Sequence, residues 1–262
     1  VWETGENRWR RFDAWPPAET QAMDLYLHEE GRILEVAPTA DPSDPNDASD
    51  SWVSDPDKPV PYTETITTGM TRAYMTDDQR FAARRPDVLV YQTDVLEEDV
   101  TLAGPILADL WVATSGTASD FVVKLIDVFP HDAEDYENME DGQHLSGYQM
   151  MVRSEVIRGR YRNSYEHPEP FEPNEPARIQ LPLQDVMHTF REGHRIMIQI
   201  QSTWFPLVDI NPHTYVENVF FAEEEDFVPA TNRLFRSAEL PSRIRVGVLG
   251  EPGLSTRPAE RL

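Results

Sequence analysis

The chain has 262 residues, 39% hydrophobic and 27% charged, with 23 lysines and arginines against 47 aspartates and glutamates. This composition is globular and allows a sizeable core, while a formal charge of −24 with no basic stripe argues against a nucleic-acid partner. No apolar run approaches the ~18 residues of a membrane-spanning helix, so no membrane partner is expected. The lack of cysteine removes disulfides, thiolate metal sites and cysteine nucleophiles.

Val1-Trp2-Glu3-Thr4-Gly5 reads as a strand running into a turn, and a chain that opens this way without methionine looks cut from a longer one. Residues 9–15 alternate, with Trp9, Arg11, Asp13 and Trp15 opposing Arg10, Phe12 and Ala14, and are expected to form a strand. Residues 23–27 and 32–36 pair as a hairpin across Glu29-Glu30-Gly31. Further strands are expected at 87–93, 106–114, 120–129, 149–153, 177–183, 195–202, 232–237 and 243–249. Helical periods are scarce: one or two short turns within 71–84, and another in each of 154–159 and 226–233. A parallel α/β sheet would need crossover helices of about a dozen residues, which are missing. With 22 prolines and 12 glycines cutting the runs short, one all-β domain over 1–262 is expected. Its form would be a jelly-roll β-sandwich with long loops and a few short helices.

Two loops are strongly acidic. Residues 38–61 carry Asp41, Asp44, Asp47, Asp50, Asp55 and Asp57, and clustered carboxylates suit calcium. The spacing of the first four, however, lacks the alternation and central glycine of an EF-hand, so a solvated loop is the reading. Residues 131–142 are read the same way.

The chain offers no convincing nucleophile. Ser115 in Ala-Thr-Ser-Gly-Thr and Ser146 in His-Leu-Ser-Gly-Tyr lack the flanking glycine pair of a G-x-S-x-G elbow. There is no S-x-x-K and no phosphate-cradling glycine loop. The seven histidines show no H-x-x-x-H or H-x-H pairing; His188 and His194 flank one turn, and are read as loop or core histidines in preference to metal ligands. Asp127 differs in kind, a carboxylate among apolar strand residues, and is expected to pair with Lys124 or an arginine. Trp9, Trp15, Trp52, Trp111, Trp204 and Phe205 suit a core, and also a sugar-stacking platform, which keeps a free-standing carbohydrate-binding module as the alternative. No catalytic residue, metal or cofactor is assigned.

Residues 190–215 are the most specific stretch. Ile196, Ile198 and Ile200 alternate with Met197, Gln199 and Gln201 as a half-buried strand. It stops at Ser202-Thr203-Trp204-Phe205-Pro206, where bulky aromatics meet a proline that cannot donate to a ladder. This loop is expected to pack rather than to react.

Asp78-Gln79-Arg80-Phe81 with Arg85-Pro86-Asp87-Val88-Leu89-Val90-Tyr91 resembles the C-terminal domain of the cocaine esterase and X-prolyl dipeptidyl-peptidase family of serine hydrolases. So do Ser54-Asp55-Pro56-Asp57-Lys58-Pro59-Val60-Pro61 and Asp120-Phe121-Val122-Val123-Lys124-Leu125-Ile126-Asp127-Val128. Arg158-Gly159-Arg160-Tyr161-Arg162, Gly193-His194-Arg195, and Gln201-Ser202-Thr203-Trp204-Phe205-Pro206-Leu207 with Asn211-Pro212 are most similar to its α-amino acid ester hydrolase branch, also labelled glutaryl-7-aminocephalosporanic acid acylases. The likeness covers nearly the whole chain in order.

The resemblance implies an enzyme with an α/β-hydrolase domain, a helical cap and a C-terminal jelly roll of galactose-binding-domain-like type. Its serine, aspartate and histidine triad lies on the hydrolase domain, ahead of the jelly roll. None of those motif positions occurs here, so the chain looks like the third domain alone and is expected to be inactive by itself. Esters or amides of α-amino acids, β-lactam acyl side chains included, or X-Pro dipeptides would be cleaved through an acyl-enzyme. The resemblance also implies packing on the upstream hydrolase domain, help in closing the substrate pocket, a homo-oligomeric full-length enzyme, and a periplasmic or secreted location. Tyr74, Met75, Asp78, Gln79 and Arg80, on a loop between a turn-rich region and a strand, are expected at the pocket rim.

Overall fold

Period-two burial dominates the chain, and the computed structural model, which describes residues 1–257 apart from 42–44, 66, 68, 70, 138 and 140–142, is accordingly built of strands. In order they are β1 Trp2–Glu3, β2 Arg8–Trp9, β3 Thr20–His28, β4 Arg32–Leu34 and β5 Ser49–Ser54. After a four-residue helix, α1 Arg80–Ala83, follow β6 Leu89–Gln92, β7 Val95–Leu96, β8 Val100–Thr114, β9 Asp120–Val128 and β10 Gln149–Arg158. The remainder are β11 Ala177–Phe190, β12 Arg195–Gln201, β13 Ala230–Phe235, β14 Arg243–Leu249 and β15 Thr256–Arg257.

Eleven of these strands share one sheet, ordered β10-β9-β12-β6-β4-β3-β14-β8-β13-β5, with β11 also hydrogen-bonded to β8. Every pairing in it is antiparallel except β4 with β6. Along β8, β14 pairs with 102–109 and β13 with 112–114. The sheet curls until its distant members β10 and β11 meet through side chains: Arg153 donates to Asp185 O at 2.7 Å and Gln184 to Glu155 at 2.8 Å. The core fills the interior of this roll, with Leu25, Leu102, Ile106, Leu110, Phe121 and Ile198 among its fully enclosed side chains.

The expected all-β class holds, and residues 243–249 form a strand at the expected bounds. The hairpin of β3 with β4 turns over Glu29–Gly31 as expected. Four expectations need correction. Of 9–15 only Trp9 lies in a strand, Arg8–Trp9, which pairs with Trp2–Glu3; Pro16 and Pro17 lack the N–H groups a longer ladder requires. Residues 154–158 are strand rather than helix, held in register from Ser154 opposite Lys124 to Arg158 opposite Asp120, and only Gly159–Tyr161 turns helically. Within 226–233 the single turn, Glu224–Asp226, ends where the expected one began, because Ala230, Asn232 and Leu234 bury every second side chain of β13. Finally, β12 is buried on both faces, since Met197, Gln199 and Gln201 are covered as completely as the isoleucines.

Candidate functional site

The cover over β12 explains the candidate site. Residues 60–65 and 71–84 cover the outer face of β12, β9 and β10 and are tied down at both ends. At one end Tyr62 N donates to Phe205 O (2.9 Å) and Phe205 N to Val60 O (3.0 Å), while Thr203 Oγ1 accepts from Val60 N (2.8 Å). At the other, Gln79 N donates to Gln149 O (3.0 Å), and the Asp78 carboxylate accepts from Gln149 N (3.2 Å). Between these anchors, Tyr74 packs on Tyr62 and Trp204 at ring separations of 5.4 and 5.8 Å. Val122 of β9 completes this second hydrophobic cluster with Met151, Val156, Leu207 and Val208 at its margin. The loop at 202–206 packs through Trp204, which is buried, while the Phe205 side chain is exposed.

Beside this cover lies a cleft of about 550 Å³, walled by Tyr74, Met75, Met151, Val156, Trp204 and Leu207 and, on its polar side, by Thr4, Arg153, Glu155 and His188. The five residues expected at a pocket rim are divided by the fold. Tyr74 and Met75 stand on the cleft. Asp78 and Arg80 form an ion pair (2.5 Å) and line a separate depression of about 390 Å³ with Glu64, His144 and Tyr148. Gln79 is buried between the two, its Oε1 accepting from Lys124 Nζ at 3.0 Å.

Lys124, expected from the sequence only as a partner for Asp127, is the residue whose place sequence reasoning missed. It is fully enclosed under the Trp204 ring, 5.0 Å from the centroid, and burial pulls its amine down to about 7. The expected ion pair with Asp127 does not form, because residues three apart on a strand face opposite sides. Asp127 instead takes two imidazoles, His188 Nε2 at 3.1 Å on one oxygen and His194 Nδ1 at 2.8 Å on the other. Burial acts to raise this carboxyl, and the two imidazole hydrogen bonds with their charges outweigh it, leaving it below the ordinary aspartate range. His188 Nδ1 in turn meets Thr4 Oγ1 at 2.8 Å, fastening the first strand to β11. His188 and His194 are thus brought together as the turn suggested, yet among the described residues no group of three side chains is placed to hold a metal ion.

Other marked residues are structural. Arg160 is buried, reaching Val216 O and Glu217 O and stacking on Tyr215 at 4.4 Å; Arg162 caps three carbonyls and lies over Phe171 at 4.3 Å. In the acidic loops, Asp50 accepts from Tyr91 and Arg236, and Asp55 pairs with Lys58; Asp44 and 140–142 lie outside the described residues. Trp52 is buried and Trp111 half-buried beneath Arg178, so the aromatic residues weighed as a sugar platform do not share one surface.

Comparison with known proteins agrees with the sequence resemblance. Residues 1–245 match the family model described as the X-Pro dipeptidyl-peptidase C-terminal non-catalytic domain. The chain is 30% identical over 254 residues to cocaine esterase of Rhodococcus sp. (strain MB1 Bresler), covering 94% of this chain and 40% of that protein. Among solved structures, an aminopeptidase from a marine sediment Thaumarchaeota archaeon shares 42% identity at a TM-score of 0.87, and an α-amino acid ester hydrolase 40% at 0.86. Each match covers 95% of this chain and 40% of the other, so the chain spans less than half the length of these relatives. The chain belongs to the family of C-terminal, non-catalytic domains found in the cocaine esterase and X-Pro dipeptidyl-peptidase hydrolases.

Proposed function

We infer that this chain serves a serine hydrolase that cleaves esters or amides of α-amino acids through an acyl-enzyme, with the catalytic serine, aspartate and histidine on a preceding part of the polypeptide. One observation carries the reading: over 95% of its length the chain is about equally similar to an aminopeptidase and to an α-amino acid ester hydrolase, two proteins whose names share an α-amino acyl group. In this reading the curled sheet is a jelly roll that packs on the catalytic part. The cleft face, with Tyr74 and Met75 at its edge, helps close the substrate pocket. An apolar wall beside a few polar groups suits an acyl side chain.

The test compares this chain with the longer polypeptide that contains it, using an α-amino acid ester and an X-Pro anilide as substrates. The chain alone is expected to turn over neither. The longer polypeptide is expected to prefer the ester and to lose activity with a serine-directed reagent. Turnover by the 262 residues alone, blocked by that reagent, would overturn the reading.

A further inference from the structure

A buried ammonium is ordinarily matched with a carboxylate, and Lys124 is not. It stands opposite Ser154 of β10 and Gln199 of β12, and among the described residues its partners are the Gln79 amide oxygen and the Trp204 ring. Of the carboxylates on the elements around it, Glu64 is exposed on the separate depression, Asp127 is taken by His188 and His194, and the others are engaged elsewhere. Asp77 accepts from Thr63, Asp78 from Arg80, Glu155 from Gln184, and Asp120 from Asn211. Tyr62 donates to Gly69 O, and Tyr74 contributes its ring. On β12 the outer face begins with Arg195, which donates to Thr93 O at 2.8 Å, and continues with the uncharged Met197, Gln199 and Gln201.

Gln79 transmits the contact. Its backbone is fixed to Gln149 and its Nε2 donates to Asp77 O at 2.8 Å, so its side chain has one orientation in which Oε1 meets Lys124. Tyr74, five residues earlier, leans on the same Trp204 ring that covers the lysine. Amine, amide and two rings form one assembly whose outer surface is a wall of the cleft.

We propose that Lys124 is the positioning residue of this wall: its bond to Gln79 sets where residues 71–83, and hence Tyr74 and Met75, stand on the cleft, and lifting of that segment is coupled to proton uptake by the amine. The consequence for catalysis rests on the function inferred above; the coupling itself does not. With the segment closed, Lys124 titrates at about 7, and when water reaches it the ordinary value of 10.5 returns. The open form therefore binds the extra proton between pH 7 and 10.5, and opening becomes about tenfold less favourable per pH unit across that window. Below pH 7 both forms are protonated and the dependence ends.

Amide hydrogen exchange on the 262-residue chain at pH 7, 8 and 9, normalised to intrinsic rates, tests the coupling. Protection over 71–83 is expected to rise about tenfold per pH unit in the native chain and to be flat in Lys124→Met. Gln79→Glu, which gives the amine a carboxylate and keeps it charged, is expected to flatten the same slope while raising protection at pH 7. A native chain without the slope, or a slope that survives in either variant, overturns the proposal. In the longer polypeptide Lys124→Met is expected to raise KM for an α-amino ester severalfold with little change in kcat. A slope lost in Lys124→Met with unaltered KM would support the coupling and count against the cleft as part of the substrate pocket.

Discussion

Replacing Lys124 by methionine is expected to make the chain more stable in mild acid and to lose that advantage in base. The amine titrates at about 7 in the folded chain against an ordinary 10.5, so at pH 7 and below folding carries nearly the whole penalty of burying the charge. At 1.36 kcal/mol per unit, that penalty is ~5 kcal/mol. Methionine removes it and fills a similar volume, but it leaves Gln79 Oε1 buried without a donor, at about 1–3 kcal/mol, and forfeits about 1 kcal/mol from the Trp204 ring. The variant is therefore expected to be about 1–3 kcal/mol more stable at pH 6. Because the folded pKa is the lower one, the unfolded chain holds the extra proton between pH 7 and 10.5, and native stability climbs across that window. By pH 9 the native chain recovers about 3 kcal/mol, which brings the two to parity or reverses them. Urea unfolding followed by circular dichroism at pH 6 and pH 9 measures both differences. A difference that is the same at the two pH values, or a native chain that is the more stable at pH 6, would refute the reasoning.

Two further substitutions probe the rest of the frame. Asp127→Ala strands the buried His188 and His194 and is expected to cost about 3–5 kcal/mol near neutrality. Its carboxyl is held below the ordinary range, so its contribution is present above about pH 4 and fades as the pH falls through the folded value, and the gap between native and variant urea midpoints should close in acid. Gly159→Ala would set a methyl 2.5 Å from the Phe171 ring and 2.6 Å from Ser119 O; a loss of about 2–4 kcal/mol is expected, visible as a lower urea midpoint with an unchanged slope.

The class of fold was legible because strand pairing leaves a local imprint, as in β14 and the β3–β4 hairpin. Element length was less so. Residues 100–105 do not read as strand because Gly104-Pro105 interrupts them, yet Gly104 at φ +100° passes the chain through and lets β8 continue over 15 residues. The family was legible from short segments whose side chains prove to be structural ties, Arg158 and Arg160 among them. What period two could not reveal was a second layer over the outer face of β9. Lys124 occupies the alternate position with Val122 and Ile126, where the sequence suggests only a partner for Asp127, and the distant residues 60–65, 71–84 and 202–206 bury it. The convergence of Asp127, His188 and His194 was hidden for the same reason: β9 and β12 are neighbours in space and some 70 residues apart in the chain.

The place of β14 in the sheet has a consequence for how the chain acquires its shape. This strand lies between β3 and β8, pairing Arg243 with both Tyr26 and Asp109. Until residue 249 has left the ribosome, two long strands wait with open edges, and the loop that must close between β3 and β14 exceeds 200 residues. Folding of this domain is accordingly a late event dominated by non-local pairing, on the slow side for its size. Truncation inside β14 is then expected to leave a sheet split through its middle, with exposed edges prone to association, in place of a domain shortened at one margin.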